Sequence, residues 1–214
     1  MSAQNEQLDA LKDIRDLMER STRFISLSGL AGVFSGLFAL AGAAAAWWKT
    51  NQGPWVFRSE DTDFGTGEII RVDWSVVNFL IIDALLVFVL SVLTSYYLSR
   101  RKAVRKGQPL WGAYSRQMLI NLSIPLAAGG IFCVIMFYHG LIAIIAPATL
   151  IFYGLALLNA GKHSFEEINY LGISEIIIGL LGLVFKGQGL IFWAAGFGLL
   201  HIIYGILMYL RHDR

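Results

Sequence analysis

Residues 164–185 read SFEEINYLGISEIIIGLLGLVF, residues 186–189 read KGQG, and residues 190–210 read LIFWAAGFGLLHIIYGILMYL. Each flank is long enough to cross a bilayer, because about 20 apolar residues rising ~1.5 Å each span the hydrocarbon. The turn is too short to leave the membrane region, so the stretch predicts a tight antiparallel pair of membrane helices. One ionisable side chain lies inside each apolar run, Glu175 in the first arm and His201 in the second. Counted outward from a turn centred near residue 187 or 188, Glu175 falls opposite residue 200 or 201. Gly172, Glu175, Gly179 and Gly182 share one face of the first arm. Ala194, Gly198, His201 and Gly205 share a face of the second, at helical spacings of three and four. At ~1.5 Å per residue the pair sits ~19 Å from the outer end, inside the cytoplasmic half of the hydrocarbon. Two readings follow. Either the two groups meet, directly or through one water, or they serve separately, His201 neutral on a carbonyl and Glu175 protonated or reaching for the interface. Side chains on a helix lean toward its N-terminus, which tilts groups on antiparallel arms away from each other.

The whole chain fits this membrane reading. Of its 214 residues 56% are hydrophobic and 15% charged, and mean hydropathy is +0.61. Soluble domains carry nearer ~25% charged residues and no long uncharged runs. Net charge is +2, with the basic residues clustered between apolar runs, a pattern that suits membrane topology better than nucleic-acid binding. The single cysteine, Cys133, rules out an intramolecular disulfide and a cysteine metal site. Charges run through the first 23 residues without a small-residue cleavage site, so the first apolar run is expected to be an uncleaved anchor.

Six spans are expected, at about 24–48, 74–98, 117–138, 141–159, 165–185 and 189–210, making an all-α polytopic domain over 24–210. Residues 1–23 place Leu8, Leu11, Ile14, Leu17 and Met18 on one side, the pattern of an amphipathic helix. It either lies on the cytoplasmic interface or binds a partner. In the first span Ser28, Gly32 and Gly36 recur every four residues, a packing face for a neighbouring helix or for another copy of the chain in a homo-oligomer. Gly179, Gly182, Gly198 and Gly205 are packing candidates of the same kind.

The loop 49–73 contains Pro54, an acidic cluster of Glu60, Asp61 and Asp63, and Gly65-Thr66-Gly67, which suggest a small hairpin. Its acids read as solvated groups or as a lid or weak cation site. Asp83, about nine residues into the second span, is expensive there unless paired or protonated, and reads as a functional acid or a packing one. A basic loop follows, with Arg100, Arg101, Lys102, Arg105 and Lys106 able to meet anionic headgroups. Pro125 in the third span displaces the carbonyl of Asn121 and predicts a kink. Only His139 and Gly140 separate that span from the fourth, giving a second tight hairpin. Both hairpins run Gly-Leu-Ile after the turn and Tyr-Gly later, at Tyr153-Gly154 and Tyr204-Gly205, which suggests duplication of a two-helix unit. Ser164 and Glu167 have capping-box spacing at the start of the fifth span.

Thirteen of the 17 Lys and Arg residues fall on one side of this six-span arrangement. The other side holds Lys49, Arg58, Arg71 and Lys186. The positive-inside rule then puts both termini, including the tail 211–214, in the cytoplasm.

No HExxH, phosphate-binding glycine loop or CxxC is present, and nothing implies a cofactor, a metal or catalysis. Gly172-Ile173-Ser174-Glu175 is similar to the GxSG of rhomboid intramembrane proteases but lacks its second glycine. RFISLSGLAGVFSG (23–36), LSIPLAAGGIFC (122–133), YHGLIAIIAPATLIFYGLALLNA (138–160) and FWAAGFGLLHIIYGILMY (192–209) resemble segments of uncharacterised integral membrane proteins of Bacteroidota-type bacteria. That resemblance implies a bacterial inner-membrane protein and carries no activity with it. The sequence supports two functional expectations. One is a non-enzymatic protein that senses, scaffolds or binds a partner. The other is a small carrier or channel using Asp83, Glu175 and His201.

Overall fold

The computed structural model describes residues 28–53, 56–57, 71–105, 113–161, 166–185 and 187–212. The N-terminal amphipathic segment, the acidic cluster, Lys106 and Ser164 lie outside the described residues. Apart from a two-residue antiparallel pairing, β1 (Val56–Phe57) with β2 (Arg71–Val72), the elements are helical. Among the described residues, six helices are long and apolar enough to cross a membrane.

α1 (Gly29–Thr50) ends as the Thr50 hydroxyl donates to the Ala46 carbonyl. Asp73 then opens α2 (Trp74–Arg105), its Oδ1 accepting the Ser75 N–H at 2.8 Å as a helix N-cap does. Hydrogen bonds from the Ser75 side chain and backbone hold the Asp73 carboxyl below its ordinary range. α3 (Ala113–Tyr138) is followed by a 3₁₀ turn, Ile142–Ile144, which leads into α4 (Ile145–Gly161). α5 covers Glu166–Val184. The sixth span is one continuous rod made of α6 (Gly189–Trp193), a π-helical segment (Ala194–Leu200) and α7 (His201–His212).

The turn after α3 is a Schellman motif. Leu141 N–H donates to Met136 O, Gly140 N–H donates to Phe137 O, and Gly140 adopts a φ of +74°. The second hairpin turns at Gly187, φ +83°. Trp47 and Trp48 at the end of α1 and Trp74 at the start of α2 are all more than 60% exposed on the same side, which suits a headgroup belt.

Spans and hairpins match expectation, with one difference. α2 continues helically to Arg105, so Arg100, Arg101, Lys102 and Arg105 end a helix rather than lying in a loop. Cations there are favoured by the negative end of the helix dipole. Lys102 is buried and engaged, leaving Arg100, Arg101 and Arg105 exposed.

The glycine faces left open in the sequence find their partners within the chain. The small-residue face of α1 packs on the sixth span of the same chain. A Cβ at Gly36 would lie 2.6 Å from the Gly198 carbonyl, and one at Gly205 would lie 2.6 Å from the Val33 nitrogen and 2.8 Å from the Gly29 carbonyl. Gly32 faces Gly205 and the His201 carbonyl, while Ser28 is buried just before α1 begins. A second crossing of this kind joins α4 and α5, where Gly154 and Gly172 each meet the other's carbonyl. Gly179 meets the Pro147 carbonyl, and Gly182 touches the rings of Pro147 and Phe192. Gly172 and Gly179 of the C-terminal hairpin therefore serve a crossing with α4, and Gly198 and Gly205 one with α1, while Gly182 touches both α4 and the sixth span. With little hydrophobic drive between helices in lipid, each glycine stripe settles where a backbone comes closest, and those backbones belong to α4 and α1. The Tyr-Gly pair of each hairpin supplies one of these crossings, through Gly154 and Gly205.

α3 packs on α4 and runs through Pro125 as one helix. The carbonyl that proline frees, that of Asn121, accepts the Asn159 Nδ2 at 2.8 Å, and Asn121 Nδ2 reaches back to Asn159 O at 3.4 Å. The broken hydrogen bond of α3 is thus closed from α4. Asn159→Leu strands that carbonyl in apolar surroundings, and a loss of about 1–3 kcal/mol is expected by the cost of an unpaired buried acceptor. Thermal unfolding in detergent checks this. The same loss from Asn159→Leu in a Pro125→Ala background, where α3 can bond its own carbonyl, would contradict it.

Candidate functional site

Glu175 is the central residue of α5, with nine helical residues on either side. The sequence leaves its surroundings open. The structure places it against the sixth span at the π-helical segment. Glu175 has no exposure at all, and His201 keeps 7%. The Glu175 Oε1 lies 3.3 Å from His201 Nδ1, so turn-counting located the pair correctly. Contact happens despite the expected lean because Gly196 opens the way. A Cβ on Gly196 would lie 2.5 Å from both Glu175 Oε2 and Leu150 Cδ2, so the carboxyl occupies the volume a side chain would take. The π segment that carries Gly196 and ends at His201 is the kind of helix irregularity found often at functional positions.

A third residue completes the cluster. Tyr153 of α4 places its hydroxyl 2.9 Å from His201 Nε2, and the two rings stack with centroids 5.4 Å apart. Phe197 packs on both rings, and Trp193 packs on Phe197. Sequence reading gave Tyr153 no part in the site, since it lies 48 residues from His201 and only the α4 packing brings them together. Its signal was faint, a tyrosine beside a glycine that mediates a helix crossing.

For a neutral imidazole the hydrogen-bond partners select the tautomer. Nδ1 sits 3.2 Å from the Gly196 carbonyl, which can only accept, so Nδ1 carries the hydrogen. Nε2 is then the acceptor of the Tyr153 hydroxyl. The Nδ1–H is committed to Gly196, and neither Glu175 oxygen has a hydrogen-bond partner among the described residues. A carboxylate left in that condition inside hydrocarbon is expensive. A carboxylic acid is much less so.

Asp83 does not join the cluster. It lies on α2 against Gly42, where a Cβ would meet Asp83 Oδ2 at 3.2 Å, and α1 stands between it and the sixth span. Among the described residues it makes no hydrogen bond. Ser174 does not face His201 either. Its hydroxyl donates to the Tyr170 carbonyl at 2.9 Å and lies 3.3 Å from the Tyr204 hydroxyl, so the serine–histidine arrangement of a hydrolase is not formed. Glu175 and His201 offer two metal donors, and no third His, Cys, Asp or Glu joins them among the described residues. At one end of the same interface Arg211 Nη1 donates to Glu167 Oε1 at 3.0 Å, an exposed pair that joins the start of α5 to the end of α7.

No protein-family model, curated protein or solved structure matches the chain.

Proposed function

We propose that this six-helix membrane protein is a non-enzymatic proton sensor of a bacterial inner membrane, with both termini in the cytoplasm and the Glu175–His201–Tyr153 cluster as its responsive part. One observation carries the reading: a fully buried carboxyl at mid-helix, 3.3 Å from an imidazole, with neither oxygen hydrogen-bonded among the described residues. Gaining or losing one proton there changes the charge of a site walled by Tyr153, Phe197 and Leu150. In such low-dielectric surroundings a unit charge exerts large forces on its neighbours. Those forces act on the π segment, and α1 lies directly on its far side, with Gly32 against the His201 carbonyl. A change in the cluster thereby alters how α1 sits. The exposed Arg100, Arg101 and Arg105 at the end of α2 hold that face of the protein to anionic headgroups.

A second reading, a proton-linked carrier, draws on the same unpartnered carboxyl. The separation of Asp83 from the cluster counts against it, since the intramembrane acids do not line one path. Protein reconstituted in vesicles distinguishes the two. Infrared difference spectra across a pH titration are expected to contain a protonated-carboxyl band that Glu175→Gln removes, without proton or cation flux. Flux abolished by Glu175→Gln would instead establish the carrier. A spectrum with no Glu175 band at any pH would overturn both.

A further inference from the structure

We infer that the cluster exchanges its proton with one side of the membrane only, the side on which Glu167 and Arg211 lie, through the seam between α5 and the sixth span. This rests on the cluster being a proton site, and it specifies which compartment the site reads.

The seam is chemically lopsided about Glu175. Toward the Glu167 end it is polar. Ser174 gives its one hydroxyl hydrogen to the Tyr170 carbonyl, so Tyr204 must be the donor in their 3.3 Å contact. That leaves a connected pair of hydroxyls one turn beyond His201 on α7 and next to Glu175 in the sequence of α5, with no hydrogen bond from either to Glu175 or His201. Ser174 and Tyr204 are each only part-buried, so water or headgroup oxygens can reach them. Two further turns along, Glu167 and Arg211 close the seam with an ion pair whose arginine is 67% exposed. Hydroxyls can pass a proton by donating one hydrogen and accepting another, a carboxylate at the rim collects protons from water, and a water molecule carries the proton across the gap between this pair and Glu175, which neither hydroxyl touches. No bond other than O–H and N–H bonds changes in such a relay.

Toward the hairpin turn the seam is shut. Leu150 and Pro147, both fully buried, fill it from α4. Gly179 and Gly182 bring α5 hard against Pro147, and Gly182 also touches Phe192. Phe185 and Phe192 stack beyond them, 5.8 Å between centroids and 17° from parallel. The one hydroxyl nearby on α4, that of Thr149, is bonded back to the Ala146 carbonyl.

The titratable groups around Glu175 agree with this asymmetry. α4 contributes Tyr153, and the sixth span contributes His201, Tyr204, Tyr209 and Arg211. α5 itself adds Glu166, Glu167 and Tyr170. Among the described residues, apart from Tyr153, which caps the cluster, these groups lie level with Glu175 or toward the Glu167 end. The charge distribution of the sequence assigns that end to the cytoplasm, so the compartment read is the cytoplasm.

The test uses the full chain inserted in one direction in vesicles. Orientation is reported by impermeant labelling of Val104→Cys in a Cys133→Ala background, since Val104 is exposed at the same end as Arg211. A pH step is applied to one face at a time while the Glu175 carboxyl band is followed. The band is expected to respond quickly to a step on the Arg211 side and only after leakage to a step on the other. Tyr204→Phe together with Ser174→Ala is expected to slow that response about tenfold without shifting its end point, as loss of one relay hydrogen bond would raise the barrier by roughly 1.4 kcal/mol. An equal response from both faces, or a response from the turn side alone, overturns the one-sided route. So does an unchanged rate in the double variant. No response from either face is a different outcome, since it removes the proton site itself.

Discussion

Gly205→Leu is expected to destabilise the bundle by about 3 kcal/mol or more, at or beyond the upper end of the range for overpacked interiors. The reason is geometric. A Cβ on Gly205 already falls 2.6 Å from Val33 N and 2.8 Å from Gly29 O, so the obstacle is α1 backbone, which cannot rotate away as a side chain could. The helices must separate along the whole crossing. That crossing also holds Gly36 against Gly198, and a parting there releases the π segment on which His201 depends. Gly36→Leu is expected to behave alike. Gly32→Ala should be milder, because its nearest neighbours lie at 3.1 and 3.3 Å. Gly130→Leu is the control. Nothing lies within 4 Å of a Cβ there, and it should leave the melting temperature almost unchanged. Thermal unfolding of the four variants in one detergent supplies the ranking, and equal losses at Gly205 and Gly130 would contradict the packing described.

Much of this architecture is legible in the sequence because membranes impose few choices. Apolar length fixes the spans, and two-residue and four-residue polar interruptions fix the hairpins. The register of Glu175 against His201 follows from counting outward along two rods of known rise from a short turn. The direction of the glycine faces does not follow from counting. A stripe of small residues shows that some backbone approaches closely and is silent about which one, and the hairpin partner is only the nearest in sequence. Gly172 and Gly179 chose α4, and Gly198 and Gly205 chose α1.

The site was half legible for the same reason. Its two ionisable members stand out against an apolar run, as charged groups in membranes do. Tyr153 does not, because a tyrosine at mid-helix is ordinary until the fold turns its hydroxyl toward an imidazole. The π segment is equally hidden. AAGFGLL has no feature that distinguishes it from an α-helical run of small and apolar residues, and the irregularity becomes visible only where Gly196 yields its side-chain volume to Glu175. Asp83 shows the converse. It carried the same signal as Glu175 in the sequence, and the packing of α2 against the outer side of α1 leaves it apart.

A double-mutant cycle on stability measures whether Glu175 and His201 form one coupled unit. Glu175→Gln and His201→Gln are made singly and together, and unfolding is followed in detergent. Residues in contact couple by about 0.5–3 kcal/mol, whereas independent sites add to within ~0.3–0.5 kcal/mol. A coupling inside the first range is predicted, because each single change alters the hydrogen-bonding and charge inventory the other residue sees across 3.3 Å. Strict additivity of the two changes would contradict it and would leave Glu175 and His201 as two separate polar residues in neighbouring helices.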